Sequence, residues 1–132
     1  MTTPWCKLPL VLHLLVETPA ALSFILHPTA QLPGCAAEAK LILRSYGGLL
    51  LATNLICLGS LARPGVDSTV GLIALCMGTY HLWPTYRAYA RMKFGIGMKG
   101  VQGAVLGGPS LHFALHVFCF VSLMGTWWFG SR

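Results

Sequence analysis

Residues 8–26 read LPLVLHLLVETPAALSFIL, and this stretch decides the class of protein. Nearly every residue in it is apolar, and about 20 such residues in a helix cross a hydrocarbon core of about 30 Å. Two are ionisable: His13 and Glu17 stand one helical turn apart inside the run. An ionisable group at that depth is expensive and is by default a pointer to function. Pro19 lies in the same run and has no N–H to give the carbonyl of Leu15, so a kink close to Glu17 is expected. Lys7 ahead of Leu8 to Val16 also fits a secretory signal. The polar residues keep helical register through to His27, however, so a retained span is expected.

Working outward, three further apolar runs approach the same length, and the spans fall at approximately 8–27, 41–61, 69–90 and 110–129. With 55% hydrophobic and 9% charged residues in 132, a water-soluble core would lack the polar surface to cover it. The fold expected is all-α: a polytopic membrane protein, one domain over 1–132, built as a bundle of four transmembrane helices with short loops. Turn residues mark the connections: His27-Pro28 and Pro33-Gly34, then Arg63-Pro64-Gly65, then Gly107-Gly108-Pro109. Pro109 falls near the first turn of the last span, where a missing N–H costs nothing.

The chain has nine Lys and Arg against three Asp and Glu, a formal charge of +6. Six of the cations cluster on one side of the expected bundle: Lys40 and Arg44 at the first connection, with Arg87, Arg91, Lys93 and Lys99 at the third. Lys7, Arg63 and Arg132 fall on the other side, and this asymmetry places both termini outside the cytosol. No basic face carries interleaved aromatics, so nucleic acid is excluded as a partner and the membrane lipids are expected to meet these charges. The five cysteines contain no C-x-x-C pair and imply no disulfide framework.

On a helix advancing about 100° per residue, His13, Glu17, Ala20, Phe24 and His27 stay within about 80° of arc. His112, His116, Cys119, Leu123 and Thr126 do the same on the last span, its two imidazoles one turn apart. On the second span Arg44, Gly47, Gly48 and Asn54 share a side, and Gly48 with Ala52 gives the small-xxx-small spacing that admits another backbone. The third span carries Ala74, Gly78, His81 and Thr85 in a stripe, followed by Trp83 and Pro84. Its run Tyr80 to Arg87 reads as a helix meeting an interface, and Pro84 has no N–H for the carbonyl of Tyr80.

These residues suggest acid–base chemistry on a lipophilic substrate held among helices. Glu17 with His13, and His112 with His116, are the candidate catalytic groups; Arg44, Asn54, His81 and Tyr80 are the candidate substrate-binding groups. The reaction class expected is an isomerase or cyclase for a terpenoid, sterol or polyketide-like molecule. The rival readings are a non-catalytic scaffold or accessory subunit of a biosynthetic complex, in which Glu17 and His13 merely bond across helices, and a small carrier. No cofactor and no metal are expected. His112 and His116 have the spacing of a helix-borne zinc pair but lack the glutamate of H-E-x-x-H, and five histidines are too few for a histidine-rich di-iron site. Gly95 to Gly100 spells G-x-G-x-x-G, yet it follows a membrane helix rather than a strand, so an interfacial loop is expected and not a nucleotide site. The associates expected are a hydrophobic small molecule, further copies of the chain or other membrane enzymes, with the endoplasmic reticulum as the compartment in a eukaryote.

Overall fold

Helix α1 (Leu8–Leu26) follows a short 3-10 turn, Pro4–Lys7, and runs unbroken through Pro19. The remaining elements are the single turn α2 (Pro28–Gln31), then α3 (Ala37–Ala62), α4 (Ser68–Tyr80), α5 (Leu82–Phe94) and α6 (Gly108–Gly130). The computed structural model describes residues 4–95 and 108–130; among them there is no strand. Three helical stretches are long and apolar enough to cross a membrane: Trp5–Leu26, Ala37–Ala62 and Gly108–Gly130. Their outer faces carry Leu15, Leu22, Ile42, Leu55, Phe118 and Val121, exposed as a lipid-facing surface requires.

Among the described residues, then, three stretches and not clearly four have the length and apolar character of a span. The expected third span, 69–90, is two helices of 13 residues each, α4 and α5, parted at His81. The physical reason is Pro84: as the third residue of α5 it sits where an N–H has no intrahelical acceptor to satisfy, so the proline falls in the first turn of a new helix rather than inside one continuous span. The glycine-rich connection of residues 96–100 lies outside the described residues. Gly95, just before it, closes α5 in the left-handed region at φ 62° and returns its N–H to Arg91 at 3.1 Å.

The chain divides into two units, one up to Gly65 and one from Val66. In the first, α1 and α3 pack antiparallel, since partners in α3 descend as those in α1 ascend. Lys7 Nζ donates to the Leu61 carbonyl at 3.1 Å and to the carbonyl of Arg63, placing a cation on the negative end of α3. Farther along, Cys57 Sγ approaches the Leu10 carbonyl at 3.3 Å and Asn54 Nδ2 donates to Thr18 Oγ1 at 3.0 Å. At the far end Gly47 meets α1 so closely that a Cβ on it would lie 2.8 Å from the Ala21 carbonyl oxygen. Phe24 and Tyr46 close that end edge to face, their ring centroids 5.0 Å apart.

In the second unit Asp67 caps α4, its carboxylate accepting the Val70 N–H at 2.9 Å. Helix α6 packs against both α4 and α5, again antiparallel: Gly130 faces Val66, Gly78 faces Met124, and His116 faces His81. The buried stripe of α6 is His116, Cys119, Leu123, Thr126 and Gly130, a spacing of three and four that keeps one face on its neighbours.

Candidate functional site

The break between α4 and α5 turns a polar side chain into the core of the second unit. His81 keeps helical backbone angles, φ −64° and ψ −14°, and its N–H reaches the Gly78 carbonyl at 2.9 Å. Its own carbonyl accepts twice from Thr85, from the N–H at 3.1 Å and from Oγ1 at 2.7 Å. The backbone is thus satisfied on both sides of the interruption, and the ring is held in place by the start of α5.

That ring is completely buried, and so nearly is His116. Their Nδ1 atoms lie 2.9 Å apart, with ring centroids at 5.1 Å and planes tilted by 38°. A hydrogen bond between two imidazole nitrogens needs a hydrogen on one and a lone pair on the other, so the pair carries at most one positive charge. The Tyr80 ring stands edge-on to His81 at 5.2 Å. His112, half-buried one turn along α6, has its ring centroid 6.4 Å from that of His116. Across the α5–α6 contact, Arg87 and Arg91 act electrostatically on His112.

The pairing differs from the one the sequence suggests. His112 and His116 share a face as expected, but the nitrogen that His116 engages belongs to His81, 35 residues away. His81, read from the sequence as a substrate-binding or interface residue, is half of a buried imidazole pair. The residues concerned are His81, Pro84 and Thr85: a proline in the first turn of a helix and a hydroxyl that donates back to the His81 carbonyl.

In the first unit His13 and Glu17 both lie on the buried stripe of α1, with Leu10, Ala21 and Phe24. Glu17 is only 1% exposed, an extreme position for a carboxyl group. Leu10, Thr18, Ala21, Phe24 and Ile25 touch α3, and by helical angle Glu17 lies within the arc they span and His13 at its edge. Asn54 is buried and ties α3 to α1 through Thr18, while its Oδ1 has no hydrogen-bond partner among the described residues. Arg44, expected on the same side as Asn54, is exposed. The buried stripe of α3 is Gly47, Leu50, Asn54, Cys57 and Ser60, and Arg44 falls at its edge, where a long stem carries its charge outward. Gly48 also faces out, with nothing within 4 Å of an added Cβ; the glycine that admits the neighbouring backbone is Gly47.

Comparison of the chain with protein-family models, with curated proteins and with solved structures gives no match.

Proposed function

We propose that this chain is a membrane-embedded isomerase or cyclase that moves a proton on a lipophilic substrate of terpenoid, sterol or polyketide type. One observation carries the reading: two buried imidazoles joined Nδ1 to Nδ1 over 2.9 Å where α4 gives way to α5. Interrupted helices with polar residues at the interruption are where membrane proteins build sites for chemistry and binding. The reading includes four crossings: α1, α3, α6, and α4 with α5 taken together. It places both termini on the non-cytosolic side and the protein in the endoplasmic reticulum of a eukaryotic cell.

The chemistry follows from the tautomers. One ring of the neutral pair holds its hydrogen on Nδ1 and has a basic lone pair on Nε2; the other accepts at Nδ1 and holds its hydrogen on Nε2. A substrate C–H gives its proton to the first Nε2, the electron pair of that bond becomes a new π bond to the neighbouring carbon, and the π pair of the old double bond is freed for a new bond at its far carbon. The Nδ1 hydrogen passes to the partner ring, whose Nε2 hydrogen forms the new bond to a second substrate atom. Substrate and pair both end neutral, which suits an apolar surround where separated charge is costly. The pair finishes in the mirror tautomer, so successive turnovers run in alternate directions through it. His13 with Glu17, which supplies the carboxyl buried in α1, is proposed as a second acid–base pair, and His112 as an auxiliary to His116.

The test uses the full chain in phosphatidylcholine vesicles, supplied with a panel of lipophilic alkenes, unsaturated ketones and epoxides, with products read by mass spectrometry. His81→Gln and His116→Gln are expected to lose the product while helicity by circular dichroism stays unchanged. Full output from both variants overturns the reading.

A second reading has its own observation. Gly48, Ala52 and Gly59 form an outward line of small residues on α3, and the two glycines have open space around them. This is the surface that a partner helix packs on, in a scaffold or accessory subunit of a membrane enzyme. Loss of pathway output in Gly48→Leu, with output kept in both histidine variants, selects that reading.

A further inference from the structure

Three imidazoles of the second unit lie in a row of increasing depth. His112 is half-buried in the second turn of α6, His116 one turn farther in is 7% exposed, and His81 is fully buried. With a rise of about 1.5 Å per residue, His112 stands about 6 Å and His116 about 12 Å from the start of α6 at Gly108. Helix α6 is long and apolar enough to span a membrane, so the row leads from one membrane face toward the interior. Farther along the buried stripe of α6, at Cys119, Leu123, Thr126 and Gly130, no imidazole or carboxyl continues it.

The ring contacts follow the same order. His81 and His116 meet Nδ1 to Nδ1 at 2.9 Å, within direct hydrogen-bond range. The rings of His116 and His112 stand 6.4 Å apart between centroids, inclined at 64°. A ring nitrogen lies about 1.2 Å from its centroid, so their nitrogens come no nearer than about 4 Å, beyond a direct bond but within the ~5–6 Å that one water spans with two. A neutral imidazole takes a proton on one nitrogen and releases the hydrogen of the other, so rings in sequence can pass protons along. Other charged or titratable groups set beside the row are Arg87 and Arg91 of α5, which act on His112, and Tyr80 of α4, edge-on to His81.

We infer that His112 is a proton relay between water at the membrane face and the buried His81–His116 pair. A hydronium ion gives its proton to one nitrogen of His112 and leaves as water. The hydrogen on the other nitrogen passes through one water to Nε2 of His116, and the hydrogen between the two Nδ1 atoms shifts to His81. The pair has then gained one proton and one positive charge, and the reverse order of steps releases it. Use of this path in turnover rests on the catalytic reading above; the path itself does not. A proton taken from substrate at Nε2 of His81 could run outward to water along the row, the substrate keeping the electron pair. The reactions open to the pair then include those that gain or lose a proton overall.

The experiment uses the full chain, with its histidine rings labelled with nitrogen-15, in phosphatidylcholine nanodiscs without substrate. The rate at which the pair takes up and releases a proton is read by NMR relaxation dispersion of the His81 and His116 ring nitrogens, at the midpoint of their titration. His112→Phe and His112→Ala are expected to slow that exchange by about 10²-fold, the lower end of what a general acid–base group contributes. Added imidazole, which fits the space left in His112→Ala, is expected to restore part of the rate. Wild-type exchange rates in both variants overturn the relay. Slowing that added imidazole does not relieve makes His112 a structural support of the pair, which overturns it too. The readout needs no turnover, so a pair that exchanges through His112 in a protein that converts no substrate refutes only the catalytic reading. Conversely, unchanged exchange in the His112 variants of a protein that does convert substrate refutes only this inference.

Discussion

The hairpin of α1 and α3 and the hairpin of α4, α5 and α6 use small residues and polar groups in opposite ways. In the first, Gly47 lets two backbones meet, and its near neighbours are the Ala21 carbonyl oxygen and the Phe24 Cβ, atoms that cannot step aside. In the second, Gly78 faces the terminal methyl of Met124, the flexible end of an unbranched chain. The polar contacts divide similarly. Asn54 to Thr18 and Lys7 to the end of α3 tie continuous helices together. His81 to His116 instead joins two titratable rings at a helix break. The first hairpin is held by rigid backbone contact with polar ties along continuous helices, the second by paired imidazoles at an interrupted one.

The sharpest way to break that contrast is to remove a ring. His116→Gln should lower turnover by about 10²–10⁴-fold, the usual worth of a general acid–base group. Its effect on helicity should be small; a drop in both together would make the pair structural like Asn54. Next comes overpacking of the rigid seam: Gly47→Leu should destabilise the protein by about 3 kcal/mol in detergent unfolding, whereas Gly78→Ala should cost under about 1 kcal/mol because Met124 can repack. Equal penalties would erase the distinction between the two glycines. Loss of the cap in Asp67→Ala should cost about 1 kcal/mol, read by faster hydrogen exchange at the Val70 amide. The smallest effect is expected of Asn54→Leu, about 0.6 kcal/mol by the scale of hydrogen bonds between membrane helices. A loss of turnover in that variant, rather than of stability, would move Asn54 from the seam to the chemistry.

How far these features can be read from the chain varies with their range. The long helices α1, α3 and α6 were legible because apolar runs of membrane length leave a backbone no other way to satisfy its polar groups. The buried positions of His13, Glu17 and His116 were legible too, since each lies in register with apolar residues on a single helical face. The interruption at His81 was not, because a proline in an apolar run predicts a kink and a helix start equally well. Gly47 and Gly48 illustrate the same limit: they are adjacent, about 100° apart around the helix, and rotation of α3 against α1 chooses between them.

By itself, then, the sequence determined a helical membrane chain, the approximate extent of its three long apolar helices and which faces of them carry ionisable groups. Those properties depend on local backbone bonding and on transfer from water, both of which act within a single helix. Only the tertiary structure decided that His116 bonds to His81 rather than to His112, that Arg44 and Gly48 face outward, and that α4 and α5 are two helices. Those outcomes depend on the rotation and register of helices packed against each other, which pit one contact against another between residues far apart in the chain.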